Sequence, residues 1–136
     1  MHQLSPYATQ CLAALQQLLP DLVARAIVKD DEFTINTTSP SGWPLWLSSE
    51  GEGLIVGFAE WHGHFDWHES YPELDAAAAA SLIQEFRSGQ LQVAAWYTGD
   101  QYAGAAIHEV GIVIESPTWL YLRHDERRLE LRRWAD

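Results

Sequence analysis

The side chains best suited to chemistry lie between Glu60 and Glu69, in the run EWHGHFDWHE. His62, His64, Asp66 and His68 occupy every second position there. Half of the chain's six histidines fall within these seven residues. Successive side chains of an extended chain alternate faces, so a strand would project all four from one side. Imidazole and carboxylate are good ligands for zinc and similar divalent metals. The spacing therefore marks a candidate metal site. The preceding GLIVGF reads as an apolar strand whose Leu54, Val56 and Phe58 share that parity. The ligands would then emerge at the end of an apolar face. The other available chemistry is acid–base work by His62 or His64, or by Glu60 with Asp66. Without chemistry, the same run is a loop between strand and helix whose polar groups satisfy the backbone.

The string HGHFDWH resembles the His-x-His-x-Asp-His motif that carries metal ligands in hydrolases of the metallo-β-lactamase type. The resemblance covers His62 to His68 only. Trp67 stands between Asp66 and His68, where that family has Asp and His adjacent, and the chain is short for that four-layered fold. There is no Gly-x-Ser-x-Gly elbow, phosphate loop or dinucleotide fingerprint.

The rest of the chain must position these residues. At 136 residues it has the size of one domain, 1–136. A chain this long can bury a core without a metal or disulfide staple. Cys11 is the only cysteine, so no internal disulfide forms. No apolar run approaches a membrane span, and the first ten residues lack the pattern of a signal peptide. A cytoplasmic location is the expectation.

The net charge is -11. Fifteen of the acids lie in residues 1–122 against three basic residues, whereas the last fourteen residues hold five arginines and four acids. The long acidic part repels phosphate backbones, which argues against nucleic acid. It would attract a basic protein.

Ser5-Pro6 is a helix start, and Ala8, Cys11, Leu15 and Leu18 then form one stripe up to Pro20. Cys11 on that stripe reads as a core residue. Residues 21–31 fit no single pattern, with Leu22, Val23, Ala26 and Ile27 open to a short second helix, and Glu32 to Thr37 suits a strand. Pro44 to Ser48 and Gly53 to Phe58 form a hairpin. Its expected register pairs Leu47 with Leu54, Leu45 with Val56 and Trp43 with Phe58, with Trp46 opposite Ile55 on the other face. Ser70-Tyr71-Pro72-Glu73 opens a second main helix, capped by Ser70, that runs to Gly89 with Ala79, Leu82, Ile83 and Phe86 as its stripe. Leu91 to Thr98 and Gln101 to His108 form a hairpin on Gly99-Asp100, with Tyr97 facing Tyr102 and Trp96 facing Ala103. Its small side chains suit packing against the alanine-rich helix. Gly111 suggests a bulge before Ile112 to Ile114. A last hairpin joins Trp119 to Arg123 with Arg128 to Trp134. The order predicts an α+β fold, an antiparallel sheet of hairpins with two main helices packed on one face.

Seven tryptophans are too many to bury completely in a small domain. Trp61 and Trp67, beside charged residues, are candidates for an exposed recognition patch. The terminal arginines would pair with acids of the same chain, or meet a second copy through the C-terminal hairpin.

GFAEWHGHFDW, the alanine-rich helix and SGQLQVAAWYTGDQYAGAAIHE together resemble a set of small uncharacterised bacterial α+β proteins. Some of these look like immunity proteins of the polymorphic-toxin kind. The resemblance covers about residues 53–110. It implies a protein that covers a toxin and needs no catalytic site. The reading from charge and aromatic residues is the same: an acidic, non-enzymatic domain that holds a basic protein partner. Its contact residues would be Trp61, Trp67, Glu60 and Glu69, with no cofactor. The alternative is a metal-dependent, hydrolase-like enzyme using His62, His64, Asp66 and His68, with zinc or a similar divalent ion.

Overall fold

A computed structural model describes residues 3–66, 71–114 and 127–135. The elements are α1 (Pro6–Leu18), α2 (Pro20–Val23), β1 (Ile27–Lys29), β2 (Glu32–Thr38), β3 (Pro44–Glu50), β4 (Gly53–Phe58), β5 (Trp61–Phe65), α3 (Pro72–Arg87), β6 (Leu91–Thr98), β7 (Gln101–Glu109) and β8 (Arg127–Arg132). Every strand pairing is antiparallel, as an α+β fold of hairpins requires. The described strands form two sheets, β1-β2-β3-β4-β5 and β7-β6-β8.

Helix α1 starts as its sequence dictates. The Ser5 hydroxyl accepts the Ala8 N–H at 3.1 Å, and Pro6 opens the helix. α1 packs against α3, and together they bury one face of the larger sheet. That inner face is Phe33 and Ile35 of β2, Leu45 and Leu47 of β3, and Leu54, Val56 and Phe58 of β4. Ala76, Ala79, Ile83 and Phe86 of α3 meet them. Phe58 and Phe86 stack with ring centroids 4.9 Å apart. The small alanines let the helix approach the sheet closely.

Tyr7, Cys11 and Asp75 form a buried polar contact between the helices. The Tyr7 hydroxyl donates to Asp75 at 2.6 Å, and the Cys11 thiol donates to the Pro72 carbonyl at 3.4 Å. Burial pushes the Cys11 thiol up to about 11, which keeps it protonated and unreactive at neutral pH. Burial, with the Asp75 hydrogen bond, also raises the Tyr7 phenol.

Several local expectations are corrected. α3 is capped by Tyr71 without a side-chain bond; Ser70 lies outside the described residues. The β3–β4 register sits two residues from the expected one, with Leu47 opposite Val56 and Leu45 opposite Phe58. The cause is the turn, which holds Gly51 and Glu52, with Gly51 at φ 59°. A shift of two keeps every side chain on its expected face. In the β6–β7 hairpin Tyr97 does face Tyr102, but an irregularity between Trp96 and Tyr97 places Trp96 opposite Gly104. α3 lies chiefly on α1 and β4, and touches the alanine-rich β6 less. Gly111 sits in a turn, and Ile112 to Ile114 form no strand. Trp119 to Arg123 lies outside the described residues.

Among the described residues, no helix covers the outer face of the larger sheet. Trp46 lies there between Asn36 and Gly57, and its indole covers Gly57. A Cβ at Gly57 would fall 1.8 Å from the ring. Gly57→Ala therefore forces the indole off the sheet. The expected cost is about 2 kcal/mol, in the range of other overpacking substitutions, measured by urea denaturation.

Candidate functional site

β4 and β5 are joined by Ala59 and Glu60, with Phe58 opposite Trp61. Ala59 adopts φ 53°, which closes the hairpin in two residues. This turn decides where the candidate ligands point. Across a two-residue hairpin, even positions of one strand share a face with odd positions of the next. Trp61, Gly63 and Phe65 therefore continue the inner face of Leu54, Val56 and Phe58. His62 and His64 stand on the opposite, outer face, beside Gly57 and Ile55. The expectation that the histidines extend the apolar face is overturned, because it assumed one continuous strand.

His62 and His64 do project together. Both are exposed, with ring centroids 5.5 Å apart. Asp66 is also exposed and follows the end of β5. Trp67, His68 and Glu69 lie outside the described residues. Among the described residues, no three His, Cys, Asp or Glu side chains are grouped so as to hold a metal ion.

Trp61 is half-buried on the inner face of β5. Its indole turns inward, lies across Gly63 and packs 6.0 Å from the Phe86 ring. Glu60 stands in the turn before β5. Its side chain is 17 % exposed, and three residues of the smaller sheet bond to Glu60. Arg132 donates to it from Nη2 at 2.9 Å and from Nε at 3.1 Å. The Tyr97 hydroxyl donates to it at 2.6 Å, and the Tyr102 hydroxyl donates to its backbone carbonyl at 3.4 Å. Arg132 also bonds Glu130 and stacks 4.1 Å over the Trp43 ring. Burial alone would raise the Glu60 carboxyl. Hydrogen bonds from Arg132 and Tyr97, with the Arg132 charge, outweigh it and hold the group below the usual carboxylate range. An ionised carboxylate with both oxygens engaged is a poor proton carrier. Its evident work is to clamp the β4–β5 turn to β6 and β8.

Two concavities flank β5. A groove of about 600 Å³ lies between β5, α3 and β7, lined by Trp61, Phe65, Ala78, Leu82, Glu85 and Ile107 among others. The α3 residues in it, Ala78, Ser81, Leu82 and Glu85, follow helical i, i+3, i+4, i+7 spacing. They form a second stripe beside the one that packs on the core. A smaller hollow of about 290 Å³ adjoins it through His64, and its polar lining includes Glu50, Glu52 and Asp66. An apolar trough on the inner side of β5 and a corner of carboxylates on its outer side thus flank the same strand. Sequence reasoning missed the trough; its available signal was the second stripe on α3.

Comparison with protein-family models, with curated proteins and with solved structures finds no match to this chain. Among the described residues no helix is long and apolar enough to cross a membrane.

Proposed function

We propose that this chain is a non-enzymatic binding domain of immunity type, which holds a basic protein partner through the groove beside β5. The observation that carries the reading is an apolar trough on one side of β5 with the Glu50, Glu52 and Asp66 corner on the other. Apolar area supplies affinity, and carboxylates beside it select a cationic surface. The chain's net charge of -11 would speed the encounter over a longer range.

A folded basic protein, cytochrome c, serves as a probe of the electrostatic part. Association measured by isothermal titration should weaken on the order of tenfold from low to physiological salt as the charges are screened. Charge-reversal of the corner, Glu50→Lys with Glu52→Lys, should weaken it further at low salt. Association that is indifferent to both changes would refute the reading.

A further inference from the structure

We infer that the groove receives the partner as an extended strand, which adds to the free edge of β5. The inference rests on the binding reading above and names the form the partner takes.

Among the described strands, β5 pairs with β4 alone. The Ala59 N–H bonds to the Pro44 carbonyl at 2.9 Å, so the odd residues of β4 direct their backbone groups to β3. Its even residues then bond β5, through Trp61, Gly63 and Phe65. The N–H and C=O of His62 and His64 are left pointing away from β4, to an edge that no described strand covers. Natural edge strands are usually blunted by lysine, proline or brevity. β1, at the opposite edge, has three residues and ends in Lys29. β5 carries neither lysine nor proline, and it borders the apolar trough.

A strand paired with β5 would alternate its side chains between the two faces. Those on the inner side would enter the trough over Ala78, Leu82 and Ile107, where small residues of α3 leave room. Cationic residues on the outer side would meet Glu50, Glu52 and Asp66, and Glu85 offers another carboxylate within the trough. This fits a short segment of β-branched residues interleaved with lysine or arginine. A second copy of this chain fits poorly, since it would bring the same carboxylates to the same corner.

The probe is a fluorescent octapeptide of alternating lysine and valine, with two N-methylated versions, one at every lysine and one at every valine. Only one set of peptide N–H groups can face β5. One methylated version should lose at least tenfold in affinity, and the other should bind within about twofold of the parent. In the protein, His64→Pro removes an outward N–H and should abolish binding, whereas His64→Ala keeps the edge and should retain it. Leu82→Arg, which fills the trough from α3, is a second blocking variant should His64→Pro fold poorly. Equal effects of the two methylations, or full binding by both blocking variants, would overturn strand addition. So would absence of octapeptide binding up to about 1 mM, the weakest affinity worth defending. In either case the cytochrome c titration decides separately whether the broader binding reading survives.

Discussion

Arg132→Ala is expected to destabilise the fold by about 3 kcal/mol, measured by urea denaturation. The Arg132 side chain is 12 % exposed, and its guanidinium meets two carboxylates, Glu60 and Glu130, while stacking on Trp43. Removing it leaves the largely buried Glu60 carboxylate without its counter-charge, and breaking one side of such a pair costs several kcal/mol. The loss should fall on the junction between the two sheets. Arg132→Lys should recover part of it, because an ammonium cannot reproduce the Nε and Nη2 fork. Glu60→Gln in the Arg132→Ala background should cost little more, because the charge that made the first change expensive is gone.

The same pair sets a pH dependence. The Glu60 carboxyl is held below its ordinary value in the folded state. The unfolded chain then binds the proton first as the solution is acidified. The stabilisation is complete above the unfolded value, roughly 4.3, and is lost as pH falls through the lower folded value. Melting curves from pH 6 down to pH 3 should show this loss in the parent and a shallower one in Glu60→Gln. Identical acid sensitivity in the two proteins would remove Glu60 from the account.

Phe86→Ala is expected to cost about 4 kcal/mol by the same measurement, typical of a buried phenylalanine reduced to a methyl group. Phe86 is fully buried and touches Phe58 on one side and Trp61 on the other. It is the ring through which α3 grips the end of the β4–β5 hairpin. Removing it would also undermine Trp61, which lines the trough, so affinity for the octapeptide should fall together with stability. Phe86→Leu should restore most of the stability, since it keeps apolar volume between the two rings.

Much of the local structure follows from residue order alone. Ser5-Pro6 opens α1, Gly99-Asp100 turns β6 into β7, and Gly89 with φ 82° ends α3. These are short-range effects, fixed by backbone torsions and capping within a few residues. The faces of β2, β3 and β4 were also legible, because period-two patterning survives a register shift of two.

The histidine run shows where that reasoning stops. Parity could group His62 with His64, and the exposed pair of rings agrees with it. It could not say which side of the sheet they occupy, because that depends on a two-residue turn at Ala59 and Glu60, with no glycine to announce it. Glu60 and Trp61 have surface-like neighbours in sequence, yet Arg132, seventy-two residues away, and Phe86 draw them inward.

What the sequence determined by itself was an acidic α+β chain of hairpins with a buried helix stripe on α1 and another on α3. Periodicity and turn chemistry act over a few residues, and net charge needs no structure at all. What only the tertiary structure decided was the division into two sheets, the Glu60–Arg132 clamp between them, and the trough left beside β5. Those depend on which distant segments meet, and no spacing along the chain encodes that meeting.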